Sequence, residues 1–139
     1  MVIESIKTID DYVLPEQFGA VANGVTDDSK AIQAAIDTNK QVVLQGTYRI
    51  NNPIYIKKNN QILTINGTLI VGCEAGIKLT GSWNTIDGGG EIRVIPASDN
   101  SARAAIRILV TNGQNRGNII SVRRIYGGHN SNHLLFHYQ

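Results

Sequence analysis

The sequence predicts an all-β solenoid, a parallel β-helix whose first end is closed by one α-helix. Three observations carry this. A single amphipathic helix pattern stands near the start, between Thr26 and Asn39. Beyond Lys40 the chain consists of short β-prone runs punctuated by Gly, Asn and Pro. Some of those runs echo one another at irregular intervals, as stacked coils with turns of varying length would.

Residues 1–14 form an extended leading segment, with apolar alternation through Val2, Ile3, Ile6, Ile9 and Val13. Residues 15–139 form the cap and first coils. Pro15-Glu16 restarts the chain, because the residue before proline is pushed out of helical geometry. Asn23-Gly24 is a turn signal, since glycine takes a positive φ without steric cost. Thr26 is the expected helix N-cap, and Asp27 and Asp28 fall in the expected first turn, where negative charge suits the helix dipole. Ala31, Ile32, Ala35 and Ile36 then share one face at 3.6-residue spacing, with Lys30, Gln33 and Asp37 on the other. The helix is expected to stop near Asn39. Its alanines let it lie close on a flat surface.

The expected strands are Val42–Leu44, Thr47–Ile50, Ile54–Ile56, Gln61–Ile65, Thr68–Val71, Ile77–Leu79, Asn84–Ile86, Glu91–Ile95, Ile106–Val110, Asn118–Ile125 and His133–Tyr138. Runs this short are compatible with a sandwich, a barrel or a β-helix. Internal similarity decides. Ile65-Asn66-Gly67-Thr68-Leu69 is echoed by Ile86-Asp87-Gly88 and by Gly89-Gly90-Glu91-Ile92. Ala75-Gly76-Ile77-Lys78-Leu79 is echoed by Ala104-Ala105-Ile106-Arg107-Ile108, with Asn132-His133-Leu134-Leu135-Phe136 as a third copy. Stacked coils expose strand edges and an apolar core at each end, which have to be covered. The helix caps the first coil. The last residues stop inside a strand-like run, so the chain is expected to continue in the native protein or to be covered by other chains.

Composition narrows the function. With 42% hydrophobic and 17% charged residues the chain reads as a folded domain. A net charge of +2 argues against a nucleic-acid partner, and no basic run with interleaved aromatics surrounds Arg123-Arg124, the tightest basic pair. No apolar stretch reaches the ~20 residues of a membrane helix, and the first fifteen residues lack the pattern of a secretion signal. Cys73 is the single cysteine, so an intrachain disulfide is excluded, and it reads as a buried thiol.

Residues Pro15 to Ala20 (PEQFGA), Asn23 to Ser29 (NGVTDDS) and Ala31 to Asp37 (AIQAAID) together resemble the opening motif of the pectate-lyase-like right-handed β-helix superfamily. Val42 to Ile50 (VVLQGTYRI) resembles the family's next strand pair. Within the superfamily, the Pro-Glu-x-Phe-Gly-Ala opening and the terse Asn39-Lys40-Gln41 link look most like bacteriophage tailspikes. The resemblance implies a homotrimeric virion protein, assembled in the host cytoplasm with other phage tail proteins. Such a protein binds and often depolymerises a bacterial surface polysaccharide without a cofactor. Two alternatives stay open: a non-catalytic structural or adhesin β-helix of a phage tail, and a cellular polysaccharide lyase, glycoside hydrolase or uronan epimerase with the same cap. The motif is scaffold and carries no catalytic residue to transfer.

Glycoside hydrolysis on such a fold needs two carboxyl groups ~5–9.5 Å apart across the scissile bond. The catalytic candidates are Asp87 and Glu91, with Glu74 and Asp99 nearby. Asp87 stands in an Ile-Asp-Gly turn, where hydrogen bonding to backbone is its commoner use. The carbohydrate-binding candidates are Trp83, Tyr126 and Arg123, because sugar rings stack on exposed aromatics flanked by polar groups. His129 and His133 stand four apart in a Gly-rich loop without a third ligand, so no metal site is expected. Gly88-Gly89-Gly90 lacks the Lys-Ser/Thr of a phosphate loop and reads as a corner.

Overall fold

The structure is a computed structural model, and it describes residues 11–99, 101–110, 115–127 and 132–138. Strands β1 (Tyr12–Val13) and β2 (Asn23–Asp27) precede helix α1 (Ser29–Asp37). The first full coil comprises β3 (Gln41–Leu44), β4 (Thr47–Ile50) and β5 (Ile54–Ile56). The second comprises β6 (Ile62–Ile65), β7 (Thr68–Val71) and β8 (Ala75–Leu79). In the third, one bent strand, β9 (Thr85–Val94), spans two faces and β10 (Ala104–Val110) makes the last. Strands β11 (Ile119–Gly127) and β12 (Asn132–Tyr138) follow beneath them.

Every pairing between these strands is parallel and joins one coil to the next. The molecule is a parallel β-helix with an N-terminal capping helix. Coils are offset by 21 residues from Lys40 to Gln61, 23 from Thr64 to Asp87 and 34 from Asn84 to Asn118.

Alternation along each strand turns apolar residues inward, and parallel in-register pairing stacks them into ladders. The first face stacks Val42, Leu63, Ile86 and Ile120. The second stacks Tyr48, Leu69, Ile92 and Ile125. The third stacks Ile54, Ile77, Ile106 and Leu134. The first three members of each ladder are at most 1% exposed. Each such side chain contributes about 1.5–3 kcal/mol by leaving water, so the ladders hold the coils together.

The corner between the first two faces demands glycine. A Cβ on Gly67 would stand 2.0 Å from the Gly46 carbonyl oxygen, and one on Gly90 would stand 2.0 Å from that of Gly67. Backbone stacks directly on backbone there.

The cap departs from expectation in three ways. Thr26 is not the N-cap: it lies in the irregular middle of β2, whose Asn23 and Asp27 pair with β4, and α1 begins after Asp28, whose side chain makes no capping bond. Asp27 and Asp28 therefore precede the first turn, and both carboxylates organise the surrounding loops. Asp28, 2% exposed, accepts the backbone N–H groups of Val21 (3.0 Å) and Ala22 (2.9 Å). Asp27 accepts the Ser29 hydroxyl, the backbone N–H groups of Ser29 (3.1 Å) and Asn51 (3.0 Å), and the Asn52 amide (3.2 Å). Gln33 lies half-buried on the expected outer face, but its amide is engaged rather than left to solvent. Its amide donates to the Tyr55 carbonyl (3.0 Å) and accepts the Tyr55 N–H (2.7 Å), so it bonds the free edge of β5 as a neighbouring strand would. The inner face is as expected, with Ile32, Ala35 and Ile36 closing the core.

Two further differences concern the coils. Asn84–Ile86 and Glu91–Ile95 belong to one strand rather than two. Ile86 pairs with Leu63, so the Ile65/Ile86 echo is offset by two residues, whereas Thr68-Leu69 and Glu91-Ile92 stack as the echo proposes. At the start, Tyr12 and Val13 of the leading segment pair with β3 and so join the stack, and residues 1–10 lie outside the described residues.

Candidate functional site

The candidate residues separate onto two corners of the coil. At the glycine corner, Asp87 points outward from the first face, where it accepts the Thr64 hydroxyl (2.7 Å) and pairs in register with Ser121. Glu91 points outward from the second face, just past Gly88-Gly89-Gly90. It accepts the Tyr126 phenol (3.2 Å) and the Thr68 hydroxyl (3.4 Å). Arg124 lies opposite Glu91 in register and stacks its guanidinium 4.2 Å from the Tyr126 ring centroid. Arg93 lies opposite Tyr126. A register shift between Val122 and Arg124 leaves Arg123 at the corner itself, exposed.

Glu91, Tyr126 and Arg124 thus form a contiguous polar cluster, while Asp87 lies across the glycine turn on the first face and Arg123 at the corner between. Arg124, not Arg123, engages the aromatic ring. The register explains this: the bulge puts Arg124 beside the second-face strand and turns Arg123 out of it.

The other acidic candidates are engaged elsewhere. The Lys78 ammonium (2.6 Å) and the Arg107 guanidinium (3.3 Å) hold the Glu74 carboxyl below the usual range. Hydrogen bonds from Ser101 hold Asp99 low, in a solvent-exposed turn. Burial pushes the Cys73 thiol up, away from reactivity. His129 lies outside the described residues, as does the His133 side chain. Among the described residues no group of three metal-ligating side chains converges.

The second corner, between the third face and the first, is built differently. Asn39, Asn60, Trp83 and Gly117 occupy successive coils there, with φ of 64°, 64°, 61° and 65°. All four are left-handed, a conformation that suits Asn and Gly and strains a bulky side chain. A Cβ on Gly117 would stand 2.0 Å from the Trp83 ring, so the indole lies on the Gly117 backbone. Trp83 is nevertheless 59% exposed.

Above it, α1 and the turn after β5 enclose a cleft of about 300 Å³, lined by Asp37, Asn39, Tyr55, Lys57, Lys58 and neighbours. Lys57 and Lys78 stand 5.2 and 5.6 Å from the Tyr55 ring centroid. Sequence reading missed this cleft, because its walls lie about twenty residues apart. The only available signal was Lys57-Lys58 following an outward Tyr55 on a strand.

Comparison with known families gives one result. Residues 16–63 match the model of a family described as rhamnogalacturonase A/epimerase, pectate lyase-like. The matched stretch runs from the cap through β6, and with the coil architecture it supports the pectate-lyase-like superfamily and a polysaccharide-related β-helix scaffold. It ends before Trp83, Asp87 and Glu91. No solved structure matches the chain.

Proposed function

We propose that this chain is the cap and first coils of a tailspike-type protein that binds and depolymerises a bacterial surface polysaccharide. In this reading it is a homotrimer carried on a phage virion with other tail proteins. The observation that carries the polysaccharide reading is the outward cluster of Glu91, Tyr126 and Arg124 on a β-helix of this superfamily. A carboxylate bonded to a phenol and opposite an arginine is suited to accept or donate a proton at a glycosidic oxygen or a sugar carbon. Asp87, one corner away, is the second carboxyl of the pair, and Arg123 extends the cationic rim. The tailspike assignment rests on the residue 15–41 resemblance.

A second reading has its own support. The matched family's description speaks of a rhamnogalacturonase and an epimerase, which favours a cellular enzyme acting on a uronate-containing polymer.

Release of new reducing ends from capsular and uronate polysaccharides tests both readings. Glu91→Gln is expected to lower the rate by about 10²–10⁴-fold if Glu91 is the general acid or base. Binding without cleavage at any substrate would support the adhesin alternative instead. Sedimentation analysis showing a monomer at micromolar concentration would count against the trimer.

A further inference from the structure

We infer that the left-handed corner is a second carbohydrate site, separate from Glu91, and that it takes a short acidic oligosaccharide. Three independent observations converge on it. Trp83 is the chain's single tryptophan, and it is exposed at a position whose stacked equivalents are Asn, Asn and Gly. Holding a bulky side chain at φ 61° costs free energy that Asn or Gly would avoid. One face of the indole rests on Gly117, and the exposed remainder of the ring offers an aromatic platform.

The same column leads upward to the cleft. Coils stack at about 4.8 Å, so Asn39 at the cleft lies about 10 Å from Trp83, with Asn60 between them. The side-chain amides of Asn39 and Asn60 make no hydrogen bond among the described residues, and neither does the Lys58 ammonium. They are free to meet sugar hydroxyls and an anionic substituent. Lys57 stands over the Tyr55 ring without a carboxylate partner among the described residues, whereas Lys78 is paired with Glu74. The one carboxylate lining the cleft, Asp37, is bonded by Gln33. The cleft therefore carries an excess of positive charge beside an aromatic ring, in a volume suited to one or two sugar rings. An oligosaccharide of about three rings, with a carboxylate or comparable anion near the cap, spans the distance from cleft to platform.

The ligand class rests on the polysaccharide reading above, but the site does not depend on Glu91. The test uses tri-galacturonic acid and its methyl ester, which share a shape and differ in charge. Indole emission reports on this corner alone, since the chain has one tryptophan. The expected result is a saturable emission change with the acid and binding about tenfold weaker for the ester. Lys57→Gln with Lys58→Gln should abolish that preference. Trp83→Asn should raise Tm by a few degrees by relieving the strained backbone, while calorimetry shows binding lost. Absence of an emission change with either trimer overturns the inference, as does equal binding of acid and ester, or Trp83→Asn that binds as the parent does. If reducing ends are released by the parent chain while both trimers leave the indole unchanged, this site falls and the depolymerase reading stands. If the trimer binds and no polymer is cut, the reverse holds.

Discussion

The two corners of this coil turn the same chain through a similar bend and ask opposite things of it. At the glycine corner, Gly46, Gly67 and Gly90 stack so closely that each carbonyl occupies the place of the next residue's Cβ. No side chain can stand at Gly67 or Gly90, so what the corner does falls to the residues beside them, Glu91, Asp87 and Arg123. At the left-handed corner the demand is on φ, and Asn39, Asn60 and Trp83 are exposed, while the Trp83 ring fills the space beside Gly117. Asn, Asn, Trp and Gly all meet that demand, at different cost. A corner set by contact distance excludes side chains, and one set by dihedral angle can display them.

The largest expected effect belongs to the first corner. Gly67→Ala puts a methyl group into the Gly46 carbonyl, with the Gln45 backbone next nearest and no flexible side chain among the nearest atoms to yield. Destabilisation of about 3 kcal/mol or more is expected by urea denaturation. A folded variant with an unchanged midpoint would break the contrast between the corners.

Next in size is an alkaline transition at the same corner. The Tyr48 ring is fully buried beside Gly46, with its hydroxyl donating to Glu16 (2.8 Å) and accepting the Gly46 N–H (3.2 Å). Burial, reinforced by Glu16, pushes the phenol up to about 12. The folded state thus holds the proton more tightly than an unfolded tyrosine near 10. That stability is complete below pH ~10 and is lost as pH rises through ~12, by on the order of 2 kcal/mol. Tyr48→Phe should remove this step from the pH profile of thermal unfolding.

A smaller loss is expected at the edge of the cap. Gln33→Ala leaves the Tyr55 N–H and carbonyl to find other partners, at about 1–2 kcal/mol, measurable as a lowered denaturation midpoint. Acid acts on the loop beside it. Burial raises Asp27, but hydrogen bonds from Ser29, Asn51 and Asn52 outweigh it and hold the carboxyl low. Stability from Asp27 is present above its ordinary pKa and is lost as pH falls through the depressed folded value. Asp27→Asn should flatten the acid limb of the stability profile. The smallest effect is expected for Asn60→Gly, within ~0.5 kcal/mol, because both residues accept the left-handed corner.

Most of the strands could be read from the sequence because alternation on a half-buried strand is local information. The runs at Thr47–Ile50, Ile54–Ile56 and Thr68–Val71 coincide with β4, β5 and β7. The third-face echo also stacks in the proposed register, Ala75 on Ala104 on Asn132. The helix was legible on its buried side only. Gln33 looked like a solvent residue because periodicity says which residues face away from the core and nothing about a strand edge passing there. Thr26 looked like an N-cap because its residue type fits one, but its hydroxyl accepts the Asn23 amide and its N–H donates to the Asn23 side-chain oxygen, which holds it in a turn before the helix. Asp87 and Glu91 could be named as outward carboxylates from alternation alone. The partnership of Glu91 with Tyr126 depends on a 35-residue offset that includes a bulge at Arg123, and no sequence period announces it. The cleft at Tyr55 was hidden for the same reason.

The amide of Gln33 has a consequence beyond the stability of one molecule. A stack of parallel strands is a template, and the bare backbone of β5 would invite the strand of another molecule to continue it. Gln33 occupies both hydrogen-bonding positions of Tyr55 with a group that cannot be extended further, and α1 fills the space where another coil would sit. The cap thus acts as a terminator of growth, and Gln33→Ala is expected to promote end-to-end fibre formation even where the monomer remains folded.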